Sequence, residues 1–131
     1  MSTIQKLQTY IAAELGDAAL YRELAKMATN QNDSQLLREF AEDEQAHANE
    51  FQRIYRMMTG RSYTPILQPP DLSGSYRDIL RDRVLDESGD FRKYGEQYLQ
   101  TNQNQALKNA YYRARTDENV HALRLLYLLS E

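Results

Sequence analysis

The 131 residues include no cysteine. That excludes disulfides, zinc fingers, iron–sulfur clusters and thiol catalysis, and it permits a reducing cytoplasm. Any metal bound here must take oxygen and nitrogen ligands. Proline and glycine are scarce, at three and five residues. Most of them crowd into the middle as Gly60, Pro65, Pro69, Pro70 and Gly74, which leaves long unbroken tracts on either side. No stretch approaches the roughly 20 apolar residues needed to cross a bilayer. Met1 to Leu7 lacks the basic start and apolar run of a signal peptide. Charge of one sign is missing too: 16 basic and 19 acidic residues leave a formal charge of -3. Nothing in that balance calls for nucleic acid or an anionic membrane as partner. The expectation is a soluble cytoplasmic protein of one domain, residues 1–131, long enough to bury a core without a covalent staple.

The tracts flanking the proline cluster are rich in Ala, Leu, Gln, Glu and Arg, and each is interrupted once by a short polar segment, Thr29 to Asp33 and Thr101 to Asn104. Four helices follow, at about 3–28, 34–59, 75–100 and 104–129, with a linker at about 60–74. Their apolar positions recur at alternating steps of three and four, the period of a bundle seam. In the first helix the seam runs Ile4, Leu7, Ile11, Ala18, Tyr21, Ala25, Ala28, and Glu14 fills the position missing between Ile11 and Ala18. The second runs Leu37, Phe40, Glu44, His47, Phe51, Ile54, Met58, and the fourth Leu107, Tyr111, Ala114, Glu118, His121, Leu125, Leu128. The third, Tyr76, Leu80, Val84, Glu87, Phe91, Tyr94, Tyr98, is less regular but carries Glu87 on the same stripe. Met27, Met57 and Met58 read as core. The fold class is all-α, a four-helix bundle with a carboxylate pointing inward from every helix.

The halves repeat each other. Thr-Asn-Gln-Asn stands at 29–32 and 101–104, Asp43-Glu44-Gln45-Ala46-His47 is echoed by Asp117-Glu118-Asn119-Val120-His121, and Glu14, Asp17, Tyr21 by Glu87, Asp90, Tyr94. Glu14 lies as far before the first turn as Glu44 and His47 lie after it, and Glu87 and the Glu118–His121 pair stand likewise about the second. All six residues are therefore expected at one height. A linker of residues 61–74, at roughly 3.3 Å per residue, reaches about 46 Å, whereas a 26-residue helix is roughly 39 Å long. It can cross the whole bundle and set the second and third helices parallel; a slack loop joining antiparallel helices is the alternative of the same length.

Glu and His three apart on a helix share a face, so each Glu-x-x-His offers two neighbouring ligands. Four buried unpaired carboxylates would cost more than the few kilocalories of net stability a domain has, so cations must compensate them. Two divalent ions balance four carboxylates. Carboxylate with imidazole suits iron, manganese or zinc better than magnesium or calcium, and open positions would admit oxygen or peroxide. The alternative is a metal-free bundle in which Arg22, Arg83 or Arg113 pairs with the buried acids. Asp43 and Asp117, four before each histidine, either orient an imidazole or decorate the surface. Tyr21 and Tyr94 either fill the core or hydrogen-bond the carboxylates, and Asp17 is expected to be solvated or salt-bridged.

At these residues the chain resembles the ferritin-like superfamily, and the spacings Glu14 to Tyr21 and Glu87 to Tyr94 look most like its rubrerythrin-like branch. The likeness spans nearly the whole chain and implies two repeated hairpins joined by a long crossover, around two iron ions or, alternatively, manganese. It implies Glu14 and Glu87 as single-carboxylate ligands, Glu44 and Glu118 as bridges, and His47 and His121 as one ligand to each ion. Tyr21 and Tyr94 would hydrogen-bond the carboxylates. Asp90 stands where the branch carries an extra carboxylate, here Asp rather than Glu, and is an additional candidate ligand. The implied activity is redox chemistry on hydrogen peroxide or dioxygen, as a peroxidase or oxidase in defence against oxidative stress, in a homodimer. Rubrerythrins proper carry a cysteine-bound iron domain that this chain lacks, so an external electron-donor protein is implied. The competing readings are iron sequestration with ferroxidase activity and a structural bundle that keeps the ligands without turnover.

Overall fold

Four side chains start the helices, each by accepting a backbone N–H that the first helical turn leaves without an intrahelical partner. In the computed structural model, which describes residues 1–131, Ser2 caps α1 (Thr3–Met27), Asn30 caps α2 (Gln31–Thr59), Ser75 caps α3 (Tyr76–Gln100) and Asn104 caps α4 (Gln105–Leu129). Ser2 with Gln5 and Ser75 with Asp78 form reciprocal capping boxes. Helix α2 begins three residues earlier than its sequence pattern indicates. Gln31, Asn32 and Asp33, read as turn, are its first turn, because the Asn30 side chain accepts from Asp33 N at 2.9 Å and Ser34 Oγ bonds Ala25 O at 2.8 Å. Gly60, at φ 77°, ends α2 in the left-handed region where a side chain would be strained.

Hairpins α1–α2 and α3–α4 pack against each other, with α2 on α4 and α1 meeting α3 through Tyr21, Asp17, Arg83 and Glu87. The core has two parts. One gathers the start of α1 (Leu7, Tyr10, Ile11), the end of α2 (Phe51, Ile54, Tyr55), Tyr94 near the end of α3 and the start of α4 (Leu107, Ala110, Tyr111, Ala114). The other gathers the opposite ends, with Tyr21, Leu24, Phe40, Leu80, Leu125 and Leu128 among its members. The start of α3 thus lies beside the start of α2. The two helices are parallel, and the linker runs the length of the bundle as its reach allows.

Gln52 fastens the linker's first turn to α2, donating to Tyr63 O at 2.6 Å and accepting from Tyr63 N at 2.8 Å. The sequence pattern errs for Met27, Met57 and Met58, which are 38, 68 and 44% exposed rather than core. They lie in the last turns of α1 and α2, beyond the point where facing helices cover the seam.

Candidate metal centre

Between the two apolar cores lies a layer of six ionisable side chains. Glu14, Glu44, Glu87, Glu118 and His121 are fully buried and His47 nearly so. Seam periodicity brings them there: each takes a core position on its own helix, and the hairpin geometry levels the four helices. They fall into two overlapping groups, Glu14–Glu44–His47–Glu118 and Glu44–Glu87–Glu118–His121, within each of which one oxygen or nitrogen per residue lies within 4.8 Å of the others. Glu44 and Glu118 belong to both. None of the surface grooves is lined by any of the six, which sit behind packed helices.

Hydrogen bonding leaves this layer incomplete. Glu14 Oε2, both oxygens of Glu44, Glu87 Oε2, both oxygens of Glu118 and Nδ1 of His121 are buried without a partner. Buried polar atoms are almost always paired, because an unpaired one keeps its full desolvation cost. A convergent set of orphaned carboxylate oxygens beside an orphaned imidazole nitrogen fits a pair of cations that take oxygen and nitrogen donors.

The charges of the layer are mutually adjusted. Burial, reinforced by the charge of Glu14, pushes Glu44 up to about 8. Burial and the charges of Glu14, Glu44 and Glu87 lift Glu118 well above the ordinary carboxylate range. Burial disfavours charge on the imidazoles, yet the bonds to Asp117 and Glu14 and the nearby Glu44 carboxylate carry His47 to about 12, and the bond to Asp43 with the nearby carboxylates of Glu87 and Glu44 carries His121 to about 9. Glu87 runs the other way: burial raises it, but His121, Arg83 and Tyr21 together hold it below its ordinary value. Without metal, the raised groups Glu44, Glu118, His47 and His121 favour their protonated forms, which offsets part of the layer's negative charge.

Each imidazole is oriented by an aspartate, and the pairing crosses between hairpins. Asp117 Oδ2 on α4 lies 2.6 Å from Nε2 of His47 on α2, and Asp43 Oδ2 on α2 lies 2.8 Å from Nε2 of His121 on α4. Both Nδ1 atoms consequently face the layer. Nδ1 of His47 is 2.9 Å from Glu14 Oε1, and that of His121 is 3.4 Å from Glu44 and Glu118. Each aspartate serves the histidine of the other half rather than the one four residues on.

The tyrosines break the two-fold pattern. Tyr21 donates to Glu87 Oε1 at 2.5 Å, whereas the Tyr94 hydroxyl has no partner. Buried Arg83, weighed from sequence only as a counter-ion in a metal-free bundle, supplies the difference. Its Nε donates to the Tyr21 hydroxyl at 3.1 Å, and its Nη2 lies 3.3 Å from Glu87 Oε1 and 3.2 Å from Asp17 Oδ2. The signal available in sequence was a cation one helical turn before Glu87. Arg22 bonds Gln45 and Arg113 pairs with Glu50, both away from the layer. Asp17 is salt-bridged, as one of its two expected states, and burial holds its carboxyl up at about 7 against the pull of Arg83. Asp90 pairs with Lys93 at 3.1 Å and approaches the layer only as a third group with Asp17 and Glu118.

The profile of the rubrerythrin family matches residues 6–68, which hold most of α1, all of α2 and the start of the linker. An uncharacterized protein of Bacillus subtilis, YhjR, is 30% identical over 128 residues, covering 98% of this chain and 87% of the relative. A solved structure of a hypothetical protein from Pyrococcus furiosus superposes with a TM-score of 0.85 over 99% of this chain and 89% of that one; at 20% identity it establishes the fold. With four helices, a full-length crossover and a buried layer of carboxylates and imidazoles, the chain belongs to the rubrerythrin family of the ferritin-like superfamily.

Proposed function

We propose that this protein is a non-haem di-iron carboxylate oxidoreductase that reduces hydrogen peroxide or dioxygen. The orphaned carboxylate oxygens converging in the buried layer carry the reading. In it, Glu14 and His47 would hold one ion and Glu87 and His121 the other, with Glu44 and Glu118, which belong to both groups, available to each; manganese is the alternative with the same donors. Bound iron would supply electrons two at a time, enough with two protons to take hydrogen peroxide to two waters, or dioxygen to hydrogen peroxide.

The chain's own groups prepare that chemistry. Asp43 and Asp117 accept from Nε2 and so aim each Nδ1 into the layer, where it would ligate on giving up its own proton. Phe40, 4.4 Å from the His121 ring between centroids, and Phe51 with Tyr94 close the layer from either side and exclude water. Tyr94, whose hydroxyl burial and the charges of Glu14 and Glu118 raise well above its ordinary value, keeps its proton and would have an unpaired O–H to offer as a hydrogen-bond donor. Electrons come from outside these 131 residues.

The group of Asp17, Asp90 and Glu118 favours a second reading, in which ferrous iron is itself the substrate of a ferroxidase. The two aspartates are about one fifth and one quarter exposed, so they offer oxygen ligands between solvent and the buried bridge. Anaerobic ferrous loading followed by separate mixing with peroxide and with oxygen distinguishes the readings. Fast oxidation by peroxide alone supports the peroxidase, and repeated oxygen-driven turnover of excess ferrous iron supports the ferroxidase. A chain that binds neither iron nor manganese, with Glu44→Ala causing no change, would sink both.

A further inference from the structure

We propose that Arg83 makes the two metal positions inequivalent by weakening the one built on Glu87 and His121; this rests on the metal-binding reading above. The repeat gives the two positions matching ligands, so any inequality has to come from the residues around them. Arg83 corresponds, at the offset of 73 that relates Glu14 to Glu87, to Tyr10 in the first half. Tyr10 is an uncharged core side chain packed edge-on to Tyr94 at 5.3 Å. Among cationic groups only His47 contacts Glu14, and the cation on that side, Lys93, is engaged with Asp90 and with the faces of Tyr10 and Tyr94.

Glu87 is treated differently in two respects. One of its oxygens, Oε1, already accepts from Tyr21 at 2.5 Å and lies 3.3 Å from the Arg83 guanidinium, leaving only Oε2 for an ion. The guanidinium is also a fixed positive charge, 7% exposed, beside that position. A divalent ion placed there is repelled through a protein interior that screens poorly. At Glu14 the sole partner of Oε1 is His47 Nδ1, a contact that ligation by Nδ1 removes, so both oxygens become available.

The alternative role for Arg83 is support, holding Glu87 in place through Tyr21 so that it ligates better. The two roles predict opposite signs. Arg83→Gln removes the charge while keeping hydrogen-bond donors, and Arg83→Lys keeps the charge. Metal-free native protein and both variants would be titrated with manganese(II) at one pH, following the free aqua ion by electron paramagnetic resonance. His121→Ala identifies the step belonging to the Glu87 position, and circular dichroism checks that each variant is folded.

The expected result is two distinct steps in the native chain. Arg83→Gln should tighten the Glu87 step by at least about tenfold while the Glu14 step moves by less than about threefold, and Arg83→Lys should resemble the native chain. An unchanged or weakened Glu87 step in Arg83→Gln, or two equal steps in the native chain, would overturn this inference alone. Failure of the native chain to take up two ions would overturn the metal-binding reading and this inference with it. Should Arg83→Gln not fold, Tyr21→Phe, which releases Glu87 Oε1 from its neutral donor but keeps the guanidinium, should leave two unequal steps; equal steps there would overturn the assignment to Arg83.

Discussion

Asp117 and His47 are 70 positions apart in the chain, yet Oδ2 of one lies 2.6 Å from Nε2 of the other across the α2–α4 interface. The aspartate fixes which imidazole nitrogen carries the proton and so which faces the layer. Asp117→Asn should weaken metal binding at the Glu14–His47 position by about 10- to 100-fold, and Asp43→Asn should do the same at the Glu87–His121 position. Calorimetric titration with manganese checks both. The crossed assignment fails if each aspartate proves to govern the histidine of its own helix.

Tyrosine to phenylalanine substitutions should separate the two halves. In chelator, Tyr94→Phe removes a buried hydroxyl that has no partner and should leave stability unchanged or slightly higher. Tyr21→Phe removes the donor to Glu87 and the acceptor for Arg83, and should cost about 1–3 kcal/mol. Urea unfolding of the two variants gives the comparison directly.

Burial and three neighbouring carboxylates raise Glu118 well above its ordinary value, so the metal-free fold favours its neutral form. Glu118→Gln should therefore abolish uptake of two ions and at the same time raise the thermal midpoint of the metal-free protein at pH 8. A lowered midpoint would show that the carboxylate is structural.

The same charges set a pH dependence. Glu44 moves from 4.5 to about 8 on folding, and His121 from 6.5 to about 9. Across those intervals the folded state binds more protons than the unfolded one, so stability of the metal-free protein falls as pH rises from about 5 to 9. Metal displaces those protons, so affinity should rise over the same range. Thermal scans at pH 5, 7 and 9, with chelator and with manganese, should diverge as pH increases.

Much of this was legible in the sequence because a seam position and a hairpin midpoint are properties of spacing. Glu14, Glu44, Glu87 and Glu118 each replaced an apolar residue in a periodic run, and that substitution marks burial. The parallel placement of α2 and α3 was one of two arrangements the linker's length allowed, and the packing of the two cores decides it. The start of α2 was less legible, since Asn30 to Asp33 reads equally as a turn and as a capped first turn. Arg83 was partly legible: it stood with Arg22 and Arg113 as a partner for the buried acids, and only the helix packed over it distinguishes it from the other two. The crossed aspartates depend on how α2 and α4 are rotated about their axes, which local spacing does not encode.

The two apolar cores are alike in character, each built from tyrosine, phenylalanine, leucine and isoleucine or alanine. Such cores would tolerate one helix sliding along its neighbours by a turn, about 5.4 Å, with modest loss of contact. The ionisable layer removes that freedom. A slipped helix would carry its glutamate out of the level where the others sit and into an aromatic cluster, alone and unneutralised. The residues proposed to hold the ions thus also act as an alignment mark, forcing the four helices to agree on a single longitudinal register before any ion arrives.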